Sequence, residues 1–287
     1  MAQLDRTIYT QSNVILTTGD FGGSGTQFAF ATISGVQNAS VSFSSAKENV
    51  NAFGSKGIID KVQLAPDTAT ATFSFILPTG TGAGTHLSPT LLNNLLQNSL
   101  LDQPTGINVK IPGIGYVISG IMSSFSVNAA VGDLATCEMT IEGIPSGTAG
   151  IDSALPAVDT PVAASSYSVV TPERISGVGG SGSANFGACV QNATFSWDIP
   201  VERIQCLGEA TSISSTFTNP PGTASITVQG IARPDAITGL IVGGYKFGLG
   251  TQAEAVSREH NLAVGDVAAT FNITIEGTAD SCIVQNS

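Results

Sequence analysis

Thr136-Cys137-Glu138-Met139-Thr140-Ile141-Glu142-Gly143 alternates without a break, and a close copy returns late in the chain as Thr270-Phe271-Asn272-Ile273-Thr274-Ile275-Glu276-Gly277. Cys137, Met139 and Ile141 fall on one side, with Thr136, Glu138, Thr140 and Glu142 on the other. In the second stretch Phe271, Ile273 and Ile275 oppose Thr270, Asn272, Thr274 and Glu276. A period of two sends successive side chains to opposite faces of a strand, so each stretch predicts a β-strand with one dry and one wet face. Residues 70–75 repeat the pattern, with Ala71, Phe73 and Phe75 against Thr70, Thr72 and Ser74. Ala224, Ile226 and Val228 form the matching dry set in the second half. Antiparallel sheets with one solvated face carry this signature.

The resemblance between halves extends well beyond one strand. Val36-Gln37-Asn38-Ala39 recurs as Val190-Gln191-Asn192-Ala193, 154 positions later. Ser42 and Ser196, Glu48 and Glu202, and Gly54 and Gly208 keep that offset. So do the apolar pairs Val41 and Phe195, Phe43 and Trp197, Val50 and Ile204, and Phe53 and Leu207. Ala130-Val131-Gly132-Asp133 recurs as Ala263-Val264-Gly265-Asp266, ahead of the two Thr-Ile-Glu-Gly segments at 140–143 and 274–277. Matching blocks in the same order predict a duplication. The expected units are residues 1–146 and 163–287, joined by a linker over 147–162 whose Gly, Ala and Pro favour an extended chain.

One helix stands out. Ser88 is a capping residue, Pro89 suits the first helical position, and Leu91, Leu92, Leu95, Leu96 and Leu100 follow at helical spacing. Residues 234–241 predict a shorter helix in the second unit. The expected fold class is therefore all-β with minor α: two tandem β-barrel or sandwich domains, each with a flanking helix. Between the strands lie long excursions over 44–69 and 198–223, and long connections in compact domains often carry contacts.

Composition narrows the function. Hydrophobic residues make up 42% and charged residues 11%, a charge content low enough to suggest that much of the surface is covered in an assembly. The net charge of −11, with ten scattered basic residues, argues against gripping nucleic-acid backbones. The start lacks the apolar core of a secretory leader, and no apolar run reaches membrane-span length. Cys137, Cys189, Cys206 and Cys282 lack zinc-site spacing and are expected to be buried, reduced thiols.

Catalytic patterns are sparse. His86 and His260 have no nucleophile at a readable spacing. The glycine-rich segments 19–25 and 177–182 lack the Gly-Lys-Ser/Thr ending of a phosphate loop and are read as turns. Glu138 and Glu142 share a strand face at roughly 13 Å, too far for a glycosidase pair. No enzymatic activity and no cofactor are expected.

Segments 36–54 and 190–208 resemble a pattern common in bacteriophage major tail tube proteins: an alternating strand, then a charged residue, an apolar residue and a glycine opening a long loop. The strands ending at Gly143 and Gly277 look like that family's last barrel strand, and the helix beginning after Ser88 fits its flanking helix. The chain is similar to those members that carry two tandem tube domains and build trimeric rings with pseudo-sixfold symmetry. The resemblance implies a structural virion protein, assembled in the host bacterial cytoplasm and resident in the tail. Its implied partners are copies of itself, a tape measure protein, tail terminator and tip proteins, and genomic DNA passing without sequence recognition; no membrane is implied. It also implies lumen-lining roles for Glu138, Glu142, Glu276, Thr140 and Thr274. Inter-subunit contacts are expected at Lys47, Glu48, Phe53, Gly54, Lys56, Glu202, Arg203, Gly208 and His86. The competing expectation is a virion decoration or adhesin-like β-sandwich, which requires aromatics exposed on loop tips. Tyr245 and Phe247, flanked by glycines, are the candidates for that role.

Overall fold

The alternating stretches fold as strands. The computed structural model describes residues 14–18, 31–45, 47–50, 56–64, 67–78, 87–100, 106–111, 114–145, 169–170, 175–179, 182–184, 190–204, 215–218, 222–230, 239–250, 253–262, 270–279 and 282–286. The first half contains β1 (Val14–Thr18), β2 (Ala31–Ile33), β3 (Val36–Ser44), β4 (Lys47–Val50), β5 (Asp60–Gln63), β6 (Thr68–Ile76), α1 (Pro89–Ser99), β7 (Ile107–Ile111), β8 (Gly115–Ala130) and β9 (Thr136–Pro145). The second half opens with β10 (Ile175–Gly179), β11 (Gly182–Ala184), β12 (Val190–Asp198), β13 (Val201–Ile204), β14 (Ser215–Thr218) and β15 (Thr223–Gly230). It closes with β16 (Gly239–Val242), β17 (Tyr245–Gly248), β18 (Glu254–Asn261), β19 (Thr270–Thr278) and β20 (Ile283–Asn286). The chain is thus predominantly β, with one short helix among the described residues.

Eight of these strands form one antiparallel layer in the order β3-β6-β9-β8-β12-β15-β19-β18. The first four come from the first half and the last four from the second, in matching sequence: β3 answers β12, β6 answers β15, β9 answers β19, and β8 answers β18. The halves meet edge to edge where β8 pairs with β12, from Asn192 opposite Ala130 to Asp198 opposite Ser124. Even the irregularities correspond. The β8–β9 ladder skips one residue between Met122 and Ser124, and the β18–β19 ladder skips one between Ala255 and Ser257.

Behind this layer lies a second. In the first half it runs β2-β1-β7 and then into the N-terminal part of β8; in the second half it is β11-β10-β16-β17-β20. β8 serves both layers by turning a corner at Ser119, whose φ of 49° is a rare left-handed value for a residue with a Cβ. The side chain of buried Asn108 secures the corner by accepting the Ser119 N–H at 3.0 Å. Gly250, with φ 81°, lies between β17 and β18 at the corresponding place in the second half.

One core joins everything. Trp197, Phe195, Phe125 and Phe247 are fully buried, and Phe247 stacks on Phe195 with centroids 4.8 Å apart. The helix begins as its sequence dictates, with Ser88 Oγ accepting the Leu91 N–H at 3.1 Å and proline in the first turn. Although α1 belongs to the first half, it packs on the second: Gln97 donates to the Cys282 carbonyl, Asn93 accepts the Val284 N–H, and Tyr245 donates its hydroxyl to the Leu87 carbonyl.

Two expectations need correction. Residues 239–241, read as the end of a second helix, lie in β16; the rest of that segment, 234–238, is outside the described residues. Tyr245 and Phe247 are not loop-tip aromatics. They lie in β17 and are buried, because the flanking glycines mark a tight hairpin and a corner, not an exposed loop.

Candidate functional site

Residues opposite one another in an antiparallel ladder project to the same face, so the pairings sort every side chain of the eight-stranded layer. One face is the core. The other carries Thr70, Thr72 and Ser74 of β6, Glu138, Thr140 and Glu142 of β9, and Ser124, Ser126 and Asn128 of β8. It continues across the junction through Thr194, Ser196 and Asp198 of β12, Ser225, Thr227 and Gln229 of β15, and Asn272, Thr274 and Glu276 of β19. The outcome is a single polar surface spanning both halves.

Hydroxyls knit that surface together. Thr72 and Thr140 lie 3.5 Å apart, Ser196 and Ser225 2.8 Å, and Thr227 and Thr274 3.2 Å. Across the junction Thr194 donates to Asn128 at 3.4 Å. These short hydroxyl side chains satisfy one another within the surface.

Across that surface the charges have one sign. Glu138, Glu142, Asp198, Glu254, Glu259 and Glu276 are all on the polar face. None of these eight strands places a Lys or Arg there, since the one such residue in them, Arg258, pairs opposite Ile273 and so projects to the dry side. Partial burial raises the Asp198 carboxyl above its ordinary range. Glu254 and Glu276 sit directly opposite each other, a like-charge pairing that costs stability.

All five residues expected to line a lumen, Glu138, Thr140, Glu142, Thr274 and Glu276, are on this face and half-buried or exposed. Sequence reading missed Asp198, Glu254 and Glu259. Nothing in the local pattern around them signals a common surface; only strand order brings them to it.

The expected contact residues fall elsewhere. Lys47 and Glu48 lie on β4, which pairs with β5 in a separate exposed hairpin, and Lys56 is in its described loop. Glu202 and Arg203 lie on β13, which forms the matching hairpin with β14. Phe53, Gly54, Gly208 and His86 are outside the described residues. The first hairpin leaves apolar side chains in water: Ile58, Ile59 and Leu64 are each more than half exposed, and Val50 and Val62 are exposed to a lesser degree.

Among the described residues no three His, Cys, Asp or Glu side chains come together as a metal site would require. Cys137 and Cys282 are buried free thiols; burial pushes Cys137 well up and Cys282 up to about 12, so both remain protonated. Among the described residues no helix is long and apolar enough to cross a membrane. No protein-family model matches the sequence, and a search of curated proteins finds no match either.

Proposed function

We propose that this chain is a structural subunit with two tandem modules, which assembles into stacked rings forming the tail tube of a bacteriophage. The observation that carries the reading is the repeated four-strand order, joined edge to edge beneath one polar face where these eight strands place acids and no Lys or Arg. A sheet that already extends itself once by adding an equivalent unit can extend again by adding another chain. Closure into a ring removes the open edges.

Three chains would supply three times the eight strands found here. At about 4.8 Å per strand the wall is roughly 115 Å around and roughly 37 Å across between backbones, before strand tilt widens it. Such a bore admits a DNA duplex. The lining would be the hydroxyl-rich acidic face, which repels phosphates and offers no counterion-releasing contacts, so DNA slides without being held. The exposed hairpin β4–β5 supplies apolar surface for stacking one ring on the next, a heterologous contact that leaves the assembly open-ended.

The decoration or adhesin reading loses its particular support, because Tyr245 and Phe247 belong to the core. Negative-stain images of purified protein at high concentration separate the two. Hollow tubes or annular rings are expected. Discrete solid particles, with no central channel at any concentration, would overturn the tube assignment.

A further inference from the structure

Within the eight-stranded layer, β8 has β12 as its neighbour, whereas its counterpart β18 has nothing on its outer side among the described residues. The same holds for β3, the counterpart of β12. Every residue of β18 is exposed, and Phe43 at the end of β3 is 41% exposed, although it projects to the dry side opposite buried Ala69. The chain therefore ends in two halves of a joint it has already made once.

We propose that β18 of one chain pairs with β3 of a second copy in the register that joins β8 to β12, with Arg258 against Phe43 as the pair that specifies the seam. The proposal rests on the ring-forming reading above and gives it a named interface.

The internal joint sets the register. Trp197 faces Phe125, Phe195 faces Val127, and Ala193 faces Ala129. Moving each residue to its counterpart, with the shared irregularities at Ser123 and Val256 in line, puts Phe43 opposite Arg258, Val41 opposite His260, and Ala39 opposite Leu262. On the polar face Ser40 meets Asn261 as Thr194 meets Asn128, and Ser42 meets Glu259 where Ser196 meets Ser126.

The side chains suit those places. Small Ala39 receives Leu262, which is 72% exposed in the single chain. The Phe43 ring offers its face to the Arg258 guanidinium, a cation–π contact in place of the internal Trp197–Phe125 pair. A cation on the dry side of an edge strand also blocks arbitrary pairing, since most partners would leave it buried and unsatisfied. Two copies of β18 would crowd Arg258, Glu259 and His260 of each chain together. Pairing β18 with β3 avoids this and runs head to tail, which closes rings instead of two-fold dimers.

Disulfide trapping tests the register in the full chain, with the unsubstituted protein as background. Ser42→Cys combined with Glu259→Cys is expected to give reductant-sensitive covalent oligomers that accumulate at the trimer. Ser42→Cys with Asn261→Cys, two residues off, should link roughly tenfold less, because diagonal positions are too far apart for disulfide geometry. Arg258→Glu should abolish assembly and Arg258→Lys should retain most of it. Hydrogen exchange of the unsubstituted protein provides a check free of substitutions: amides of both β3 and β18 should become protected on assembly. Rings or tubes without the Ser42–Glu259 link, or with the shifted link dominant, overturn this register and leave the ring reading standing. Linking by Ser42→Cys alone shows β3 paired with β3 and overturns the proposal. Monomer at every concentration, with both edges still exchanging, overturns proposal and ring reading together.

Discussion

Trp197→Ala is expected to lower the free energy of unfolding by about 3–5 kcal/mol, the range for deleting a large aromatic from a packed core. Trp197 has no exposed surface, faces Phe125 across the junction of the two halves, and faces Ala224 on its other side. Its indole N–H donates to the Ala279 carbonyl at 3.3 Å, so the truncation also orphans a buried acceptor. The neighbours cannot collapse into the gap, because β12 is held on both edges by ladders. Phe43, its counterpart on the free edge, provides the contrast: Phe43→Ala should cost the isolated chain far less, since that ring is 41% exposed. Urea denaturation of the unassembled chain measures both. A Trp197→Ala loss below about 1 kcal/mol would mean that the β8–β12 junction does not bear the core.

Reversing charge on the polar face should have its large effect on DNA and not on folding. Glu138→Lys, Glu142→Lys and Glu276→Lys together replace three acids per chain with cations on exposed or half-buried positions, where stability changes are small. In a three-chain ring they would place about nine lysines around one bore, and six to ten phosphate contacts are enough to make affinity fall by about 10³–10⁵ between 50 and 200 mM salt. Tubes of the triple variant should therefore retain labelled duplex DNA at low salt and release it steeply as salt rises. Tubes of the unsubstituted chain should retain little at any salt. Equal retention by the two would place these side chains away from any DNA path.

The wet and dry faces of β6, β9, β15 and β19 were legible in the sequence because those strands are paired on both sides and packed on one face, which enforces strict alternation. Helix α1 was legible because Ser88 and Pro89 supply the capping chemistry the helix needs. Other features had weaker signals. The apolar run from Leu240 to Val242 is too short for periodicity to distinguish strand from helix, and tertiary pairing with β10 and β17 decided it. β18 reads as a polar segment, Ser257-Arg258-Glu259-His260-Asn261, because it pairs on one side with β19 and all its residues are exposed in the single chain, so burial demands no apolar alternation. Its meaning emerges only when it is set beside β8. The shared polar face likewise depends on which strands lie side by side, and strand order is a long-range property that no local pattern carries.

A cryo-EM reconstruction of the assembled protein tests the central claim most directly. The predicted result is a ring of three chains showing six similar four-stranded units, with Thr140, Glu142, Thr274 and Glu276 pointing into an open bore. A reconstruction in which that hydroxyl-rich face points outward, or in which the chains form a closed particle without a channel, would contradict it.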